Sequence, residues 1–338
     1  MNFELLKTLC ELNGTSGDEK NVRDFIISQL PDDCEYTVDP MGNLIVNKKG
    51  EFAPKNKVAL FAHMDEVGFI VTYIHENGFV NVANVGGIDN SALFGKKITV
   101  NGKIGVVGGK AIHQCSGDEG KKIPEITDVY VDFGFENNEV AEKYLSLGDY
   151  GYFKSDFVEF GNDMIKSKAI DDRLGCAIML EFLQEKSKID YTCVFTVQEE
   201  VGTRGAIGSA YTVKPDYAIV IETTTASDIP DTPENKKVCR VGNGAVVSFM
   251  DRGTIYNKDL YKKAREIADK NGIANQTKTV VAGGNDAAAI HKAAGGIKTI
   301  AVSLPCRYIH SASSVGSKRD MESVKSLCKV LLEEFANG

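Results

Sequence analysis

No run of this chain approaches the roughly 18 consecutive apolar residues that a membrane-spanning helix needs, so no membrane segment is expected. The opening residues, MNFELLKTLCELNGTSGDEK, lack the basic stretch and apolar core of a secretory signal and carry acidic residues instead; a cytoplasmic location is the expectation. Basic residues are in deficit, with 39 Lys and Arg against 47 Asp and Glu and a formal charge of −8. That balance argues against nucleic acid as a partner, because such binding rests on neutralising phosphates. None of the eight cysteines is spaced C-x-x-C, which removes the usual structural-zinc and redox motifs. Cys193 in YTCVFTV shows their typical setting, an apolar run in which Cys behaves as a small buried hydrophobe, and the cysteines are expected to be reduced. Internal repeats, low-complexity tracts and polar linkers are also absent, which excludes repeat architectures.

What is present is an ordinary globular composition. At 338 residues the chain is long for one core and short for three, so a large domain with a smaller one is expected, and 43% hydrophobic residues can fill both. Apolar spacing at Phe3, Leu5, Leu6 and Leu9, and again at Val22, Phe25, Ile26 and Leu30, predicts two amphipathic helices split by the turn NGTSGDEK. A short strand NLIVNKK and the run KVALFAHMD come next. The second reads as a strand buried on both faces, hence a sheet covered by helices. From about Gly68 to Gly151, short β-prone runs (FIVTYI, FVNVANV, KITV, IGVVGG, DVYVDF) alternate with Gly, Asn and Asp turns, with one helical stretch near NNEVAEKYLSL. That texture suits a small barrel or sandwich. Beyond Asp156, strands and helices alternate again through MIKSKAI, DDRLGCAIMLEFLQEK, YTCVFTVQEE, YAIVIET, KDLYKKAREIADKNG, KTIAVSLP and ESVKSLCKVLLEEFA. The reading is an α/β domain made of residues 1–67 and 152–338, with an all-β, barrel-like domain of residues 68–151 inserted after the strand that ends in His63.

Ligands of open α/β sheets bind beyond the carboxyl ends of the strands, and the polar residues of this sequence gather there. KVALFAHMD ends in His63 and Asp65, YTCVFTVQEE in Glu199 and Glu200, and YAIVIET in Glu222, while KTIAVSLPCRYIH runs out to His310. Asp171 and Asp172 come after MIKSKAI at the start of a helix beginning near Arg173. Singly, each has a plain structural reading. His63 could be a satisfied, half-buried histidine, and Asp171 and Asp172 an N-cap and a first-turn acid on the helix dipole. Two adjacent glutamates ending a strand are expected to point in opposite directions and to repel unless something cationic offsets them. Together, these carboxylates and two histidines with few Lys or Arg nearby describe a cation site, and nitrogen and oxygen ligands without thiolate suit Zn²⁺, Co²⁺ or Mn²⁺.

The segments AHMDEVGFIV, KAIDDRLGCAIMLEF, VQEEVGTRGA, AIVIETTTASDIP and RYIHS, in this order, closely resemble the M42 family of metallo-aminopeptidases, which includes the tetrahedral aminopeptidases. LNGTSGDEKNVRDFI near the start and GGNDAAA near the end extend the likeness over nearly the whole chain. The resemblance implies a zinc-peptidase-like α/β/α catalytic domain interrupted by a β-rich dimerisation domain. It also implies two divalent ions per chain, peptide substrates shortened from their amino ends, and homo-oligomers built from dimers up to a tetrahedral dodecamer. By the same resemblance Asp171 bridges both metals, His63 and Glu222 complete one site, and Glu200 and His310 complete the other. Glu199 is then the general base, and Asp65 orients the His63 imidazole. Two positions depart from the family's pattern: Glu222 stands where Asp is usual, and Asn285 where Thr is usual, beside the expected pocket residue Asp286. Two other classes use parts of this pattern. A glycoside hydrolase such as an endoglucanase needs paired carboxylates but no metal, and leaves both histidines without a task. A catalytically impaired assembly protein accommodates the Glu222 departure, but has no use for Glu199.

Overall fold

The structure, a computed structural model, describes residues 1–117 and 121–338. Its larger sheet is built around Val58–His63, in which every residue is buried, as an apolar run covered on both faces must be. Tyr191–Thr196 and Tyr217–Thr225 pair with it in parallel on either side, and Lys298–Arg307 runs parallel to the latter. Antiparallel strands extend both edges. Leu44–Lys48 and Cys34–Val38 lie beyond Tyr191–Thr196, and Ser314–Ser317, Met164–Ser167 and Val158–Phe160 beyond Lys298–Arg307. A side branch, Ala245–Val247 with Asn275–Thr277, bonds to the middle of Lys298–Arg307.

Helix Ile170–Gln184 packs on Val58–His63 and Tyr217–Thr225. It is buried nearly all the way round because the amino-terminal helix Phe3–Glu11 lies against it. The close approach needs Gly175, since a Cβ there would stand 2.7 Å from that of Ala62. Lys258–Lys270 is amphipathic by contrast: Asn257 caps it by accepting from the N–H groups of Asp259 and Leu260, and Leu260, Ala264, Ile267 and Ala268 form its buried stripe. That helix packs on the last one, Lys318–Asn337, which covers Lys298–Arg307. Among the described residues no helix is long and apolar enough to cross a membrane.

Between Val58–His63 and Met164–Ser167 the chain forms a closed barrel of six strands, in the order Gly68–Ile74, Val80–Val85, Val129–Asp132, Lys103–Gly109, Lys97–Val100 and Tyr150–Phe153. Alternation fills its interior with Phe69, Val71, Val80, Val82, Ile98, Val100, Val107, Val129, Val131 and Phe153. The Phe69 and Phe153 rings meet edge to face at 5.0 Å. The stretch NNEVAEKYLSL yields only the short helix Asn138–Ala141, because the chain after it is held in turns that bond back to the barrel, Gly148 N–H donating to the Val71 carbonyl.

Candidate metal centre

His63 closes its strand as the sequence predicts, but the other strand-end expectations shift. Glu222 lies inside Tyr217–Thr225, because that strand continues beyond it on its pairing with Lys298–Arg307. Tyr191–Thr196 stops short of Glu199. Gln198, at φ +56°, turns the chain out of the strand, and the Glu199 carbonyl accepts from Gly202 and Thr203 N–H groups. Glu199 and Glu200 are therefore separated by a turn and not by strand alternation. Lys298–Arg307 ends before His310, and positive φ at both Tyr308 and His310 bends the chain back over the sheet end. Asp171 and Asp172 head Ile170–Gln184 with non-helical backbone and a cis peptide between them, and the regular helix starts at Arg173.

These bends bring residues distant in sequence onto one point. His63 Nε2 lies 3.3 Å from Asp171 Oδ1 and 3.5 Å from Glu222 Oε1. On the other side His310 Nε2 lies 3.5 Å from Asp171 Oδ2 and 3.2 Å from Glu200 Oε2. Asp171 thus offers one oxygen to each of two trios, His63–Asp171–Glu222 and Asp171–Glu200–His310, and within each trio the donor atoms all lie within 4.8 Å of one another. Glu222 reaches His63 despite its longer arm, with Oε1 also accepting from the Thr223 N–H at 3.0 Å. Glu199 belongs to neither trio.

Asp65 ties the two sides together. Its backbone carbonyl is 3.0 Å from His63 Nδ1, a contact that fixes the ring with Nε2 toward Asp171 and Glu222. Its carboxylate accepts from the backbone N–H groups of Glu199 and Glu200, at 3.0 and 3.1 Å, and from the Ser16 hydroxyl at 2.6 Å.

The electrostatics point to a cation. Among the described residues no Lys or Arg forms an ion pair with Asp65, Asp171, Asp172, Glu199, Glu200, Glu222 or Asp286. Burial above all pushes Glu200 up to about 7 and Glu222 up to about 8, with the Asp171 charge adding to both. Burial likewise raises Glu199 and Asp172 well above the carboxylate range. Burial alone would lower His310, but its hydrogen bond to Asp171 and the Glu200 charge carry it up to about 9, and Glu222 and Asp171 overcome burial at His63 in the same way. Protons on imidazole and carboxylate therefore do the neutralising that divalent ions would do with the same donors. One buried oxygen of Asp172 and one of Asp286 have no hydrogen-bond partner among the described residues. The donor set fits metal: imidazole nitrogen and carboxylate oxygen, no thiolate, and two trios sharing one carboxylate.

Several supporting residues escape a motif search because they act through the backbone. Arg173, wholly buried, donates to the Met64 carbonyl at 2.8 Å and to the Leu12 carbonyl at 3.1 Å, and so clamps the His63–Asp65 turn to the amino-terminal helix. Lys168 and Glu66 pair beneath it. The barrel contributes Gly86 and Gly87. At Gly86, φ is +85° and a Cβ would stand 3.2 Å from that of Glu200, and at Gly87 a Cβ would stand 3.6 Å from His310 Nδ1. Only the adjacent glycines in NVGGID hint at this close approach.

Residues 42–327 match the M42 glutamyl aminopeptidase family. A protein of Acetivibrio thermocellus named as a candidate aminopeptidase is 38% identical over 335 residues, spanning 98% of this chain and 97% of its own. The lysyl aminopeptidase of Pyrococcus furiosus is 33% identical over 99% of this chain and 98% of its own. The glutamyl aminopeptidase of Lactococcus lactis subsp. cremoris is 30% identical over 98% and 95%. Among solved structures, the Pyrococcus horikoshii TET1 peptidase, which assembles into a tetrahedron or a large octahedral shell, superposes with a TM-score of 0.85 at 32% identity, covering 97% of this chain and 98% of its own. A Thermotoga maritima structure named as an endoglucanase superposes with a TM-score of 0.80 at 37% identity, covering 98% and 97%. With that match across most of its length, the chain belongs to the M42 aminopeptidase family.

Proposed function

We propose that this aminopeptidase holds two divalent ions per chain, one among His63, Asp171 and Glu222 and one among Asp171, Glu200 and His310, with Zn²⁺ or Co²⁺ expected and Mn²⁺ a further candidate. The observation that carries this reading is two donor trios sharing a single carboxylate, with Glu199 close enough to feel His63 and Glu222 yet outside both. Bound among these residues, such ions would supply Lewis acidity to a peptide carbonyl and to water. Glu199 accepts a proton from water as the water oxygen bonds to the scissile carbonyl carbon, and passes that proton to the amide nitrogen as the C–N bond breaks, so that the first residue leaves as a free amino acid and the shortened peptide as a free amine. Asp65 keeps His63 Nε2 turned inward and braces the Glu199–Glu200 backbone. The surplus of carboxylates attracts a cationic amino terminus, which accounts for attack at that end of a peptide.

The lysyl and glutamyl names of two relatives at similar identity leave the preferred residue open. An endoglucanase reading leaves His63 and His310 idle, since glycosidic cleavage by paired carboxylates needs no metal. The test is metal-stripped protein reloaded with Zn²⁺, Co²⁺ or Mn²⁺ and offered aminoacyl-anilides and a β-glucan. Anilide cleavage restored by metal is the expected result. Activity indifferent to chelator, or glucan cleavage alone, overturns the proposal.

We further propose that residues 68–151 are an inserted dimerisation domain and that the protein is a homo-oligomer. Ile104 and Val106, two residues apart on the barrel strand Lys103–Gly109, are about half exposed on its outer side, apolar side chains of the kind that oligomer interfaces bury. Light scattering is expected to give a multiple of the 36.7 kDa chain mass, and a monomer at micromolar concentration overturns this part.

A further inference from the structure

The backbone N–H groups of the turn that carries Glu199 are held by side chains from elsewhere in the chain. Past strand Tyr191–Thr196, four in succession donate to amide or carboxylate oxygens. Val197 donates to Asn43 Oδ1 at 3.0 Å, Gln198 to Glu19 Oε1 at 3.0 Å, and Glu199 and Glu200 to the two Asp65 oxygens at 3.0 and 3.1 Å. Asn43 lies just before strand Leu44–Lys48, and Asp65 just after Val58–His63. Glu19 comes from the amino-terminal turn, just before helix Lys20–Ser28, and the mechanism leaves it without a task.

Glu19 is 5% exposed, and among the described residues no Lys or Arg pairs with it. Burying a carboxyl without a cation is unfavourable. Burial above all raises Glu19 above the usual glutamate range; the Gly17 N–H opposes this and the Asp65 charge adds to it. A plain structural task is at hand and is not taken, for Glu19 stands at the N-cap of Lys20–Ser28 yet its side chain makes no capping bond. Instead Oε1 accepts from Gly17 N–H at 2.8 Å, within its own turn, and from Gln198, 179 positions away. Gln198 has a φ of +56°, a left-handed conformation that a residue other than glycine seldom keeps unless its surroundings over-determine it. The amino-terminal turn can impose it because its far side is anchored on barrel strand Tyr150–Phe153. The Thr15 hydroxyl donates to the Gly151 carbonyl at 3.3 Å, the Tyr152 hydroxyl donates to Asp18, and Asp18 N–H closes the turn on the Thr15 carbonyl at 2.7 Å.

We propose that Glu19 is a positioning residue for peptide cleavage: by holding the Gln198 N–H it fixes the left-handed bend that sets where the Glu199 carboxylate stands, and it does so by reach and not by charge. This rests on the aminopeptidase reading and adds to it a residue that touches neither substrate nor metal. Asp65 holds the two N–H groups after the bend, and Glu19 holds the one at it. Without Glu19 the bend relaxes toward extended backbone and Glu199 moves with it. Glu200 keeps its hold on Asp65, so both donor trios keep their ligands.

The test follows cleavage of a panel of aminoacyl-anilides by full-length, metal-loaded protein. Amide hydrogen exchange of residues 197–200 in metal-free protein is the readout separate from turnover, with barrel strand Gly68–Ile74 as internal reference. Glu19→Ala is expected to lower kcat about 10²-fold, the cost of a misplaced catalytic group, with KM and bound metal little changed. In the same variant exchange at residues 197–200 is expected to quicken at least about 10-fold, the worth of a hydrogen bond to a charged group, while Gly68–Ile74 exchanges as in the wild type. Glu19→Gln keeps the reach and an acceptor oxygen, and is expected to return both readouts to within about threefold of the wild type. Glu19→Asp keeps the charge but shortens the arm; it is expected to behave as Glu19→Ala does and takes its place should that variant not fold. If the wild type cleaves an anilide and kcat of both short-armed variants stays within about threefold of it, a change below that of one lost hydrogen bond, the assignment of Glu19 fails and the peptidase reading stands. Glu19→Gln as impaired as Glu19→Ala also overturns the assignment, because the contribution would then be one of charge. If the loaded wild type cleaves no aminoacyl substrate, the peptidase reading fails and exchange decides alone. Faster exchange at residues 197–200 in Glu19→Ala then still supports the hold on Gln198, and unchanged exchange overturns it.

Discussion

The parallel sheet and the barrel treat polar groups in opposite ways. Among the described residues no buried polar or charged side chain falls between Val67 and Lys166, and the barrel interior is apolar throughout. The sheet buries Asp65, Glu66, Asp171, Asp172, Arg173, Glu222 and Asp286 around the carboxyl ends of its central strands. Burying a charge is unfavourable unless it is paired or bound to an ion, so a fold that concentrates charge in one region and excludes it from another has divided its work. The barrel encloses an apolar core, and the sheet gathers the charged groups of the candidate site. The two meet at Gly86 and Gly87, where the barrel touches Glu200 and His310.

The largest effect that would sharpen this contrast is on turnover. Glu199→Gln keeps size and leaves both donor trios intact, so kcat is expected to fall by roughly 10²–10⁴-fold, the usual worth of a general base, with metal content and KM little changed. Loss of metal with Glu199→Gln would move that residue into the ligand set. A barrel change should act through stability alone. Phe69→Ala removes a wholly buried ring that packs edge to face on Phe153, a truncation that costs roughly 3–5 kcal/mol in an apolar core. Urea melts that show no loss would mean that the barrel core is not where cohesion lies. Smaller again is Glu200→Gln, which weakens one trio. Binding of one ion is expected to fall at least about 10-fold, the lower end even for residues that only support ligands, with activity partly restored by excess of that ion. Unchanged affinity for both ions would remove Glu200 from the site.

Much of this was legible in the sequence because apolar runs and turn residues report burial directly. KVALFAHMD reads as a doubly covered strand and becomes the all-buried Val58–His63. The β-prone runs after Gly68 become the barrel. Edge strand Cys34–Val38 is mostly exposed and carries no alternation to notice. The seven positions singled out as ligands, base and orienting carboxylate all come together at one place. Strand alternation is not what separates Glu199 from Glu200, because the positive φ at Gln198 that makes the turn is invisible in a string of residue names. Contacts made through backbone, such as Arg173 to the Met64 carbonyl, join positions far apart in sequence and leave no motif to search for.

The smallest effect lies at the border of the charged region, where a carboxylate is paired as those at its centre are not. Asp228 lies just after Tyr217–Thr225 and takes both arms of Arg307, Nε at 2.6 Å and the terminal nitrogen at 2.7 Å, while also accepting from the Val241 N–H. Burial would raise Asp228, but the Arg307 hydrogen bonds hold it below the usual aspartate range. A carboxyl whose folded value is lowered contributes stability above its unfolded value, near pH 4, and loses that contribution as pH falls through the lower, folded value. The site is partly open to solvent, so screening limits the pair, and Asp228→Asn is expected to destabilise metal-free protein by about 1 kcal/mol at pH 7 in low salt. Metal-free protein is needed because the ligand carboxylates also take up protons in acid. Denaturant melts of both proteins at pH 7 and in stepwise more acidic buffer should show the gap closing below about pH 4. A gap that persists undiminished in acid would mean that Asp228 acts by shape and not by charge, and the unpaired carboxylates of the site would then lose their paired counterpart.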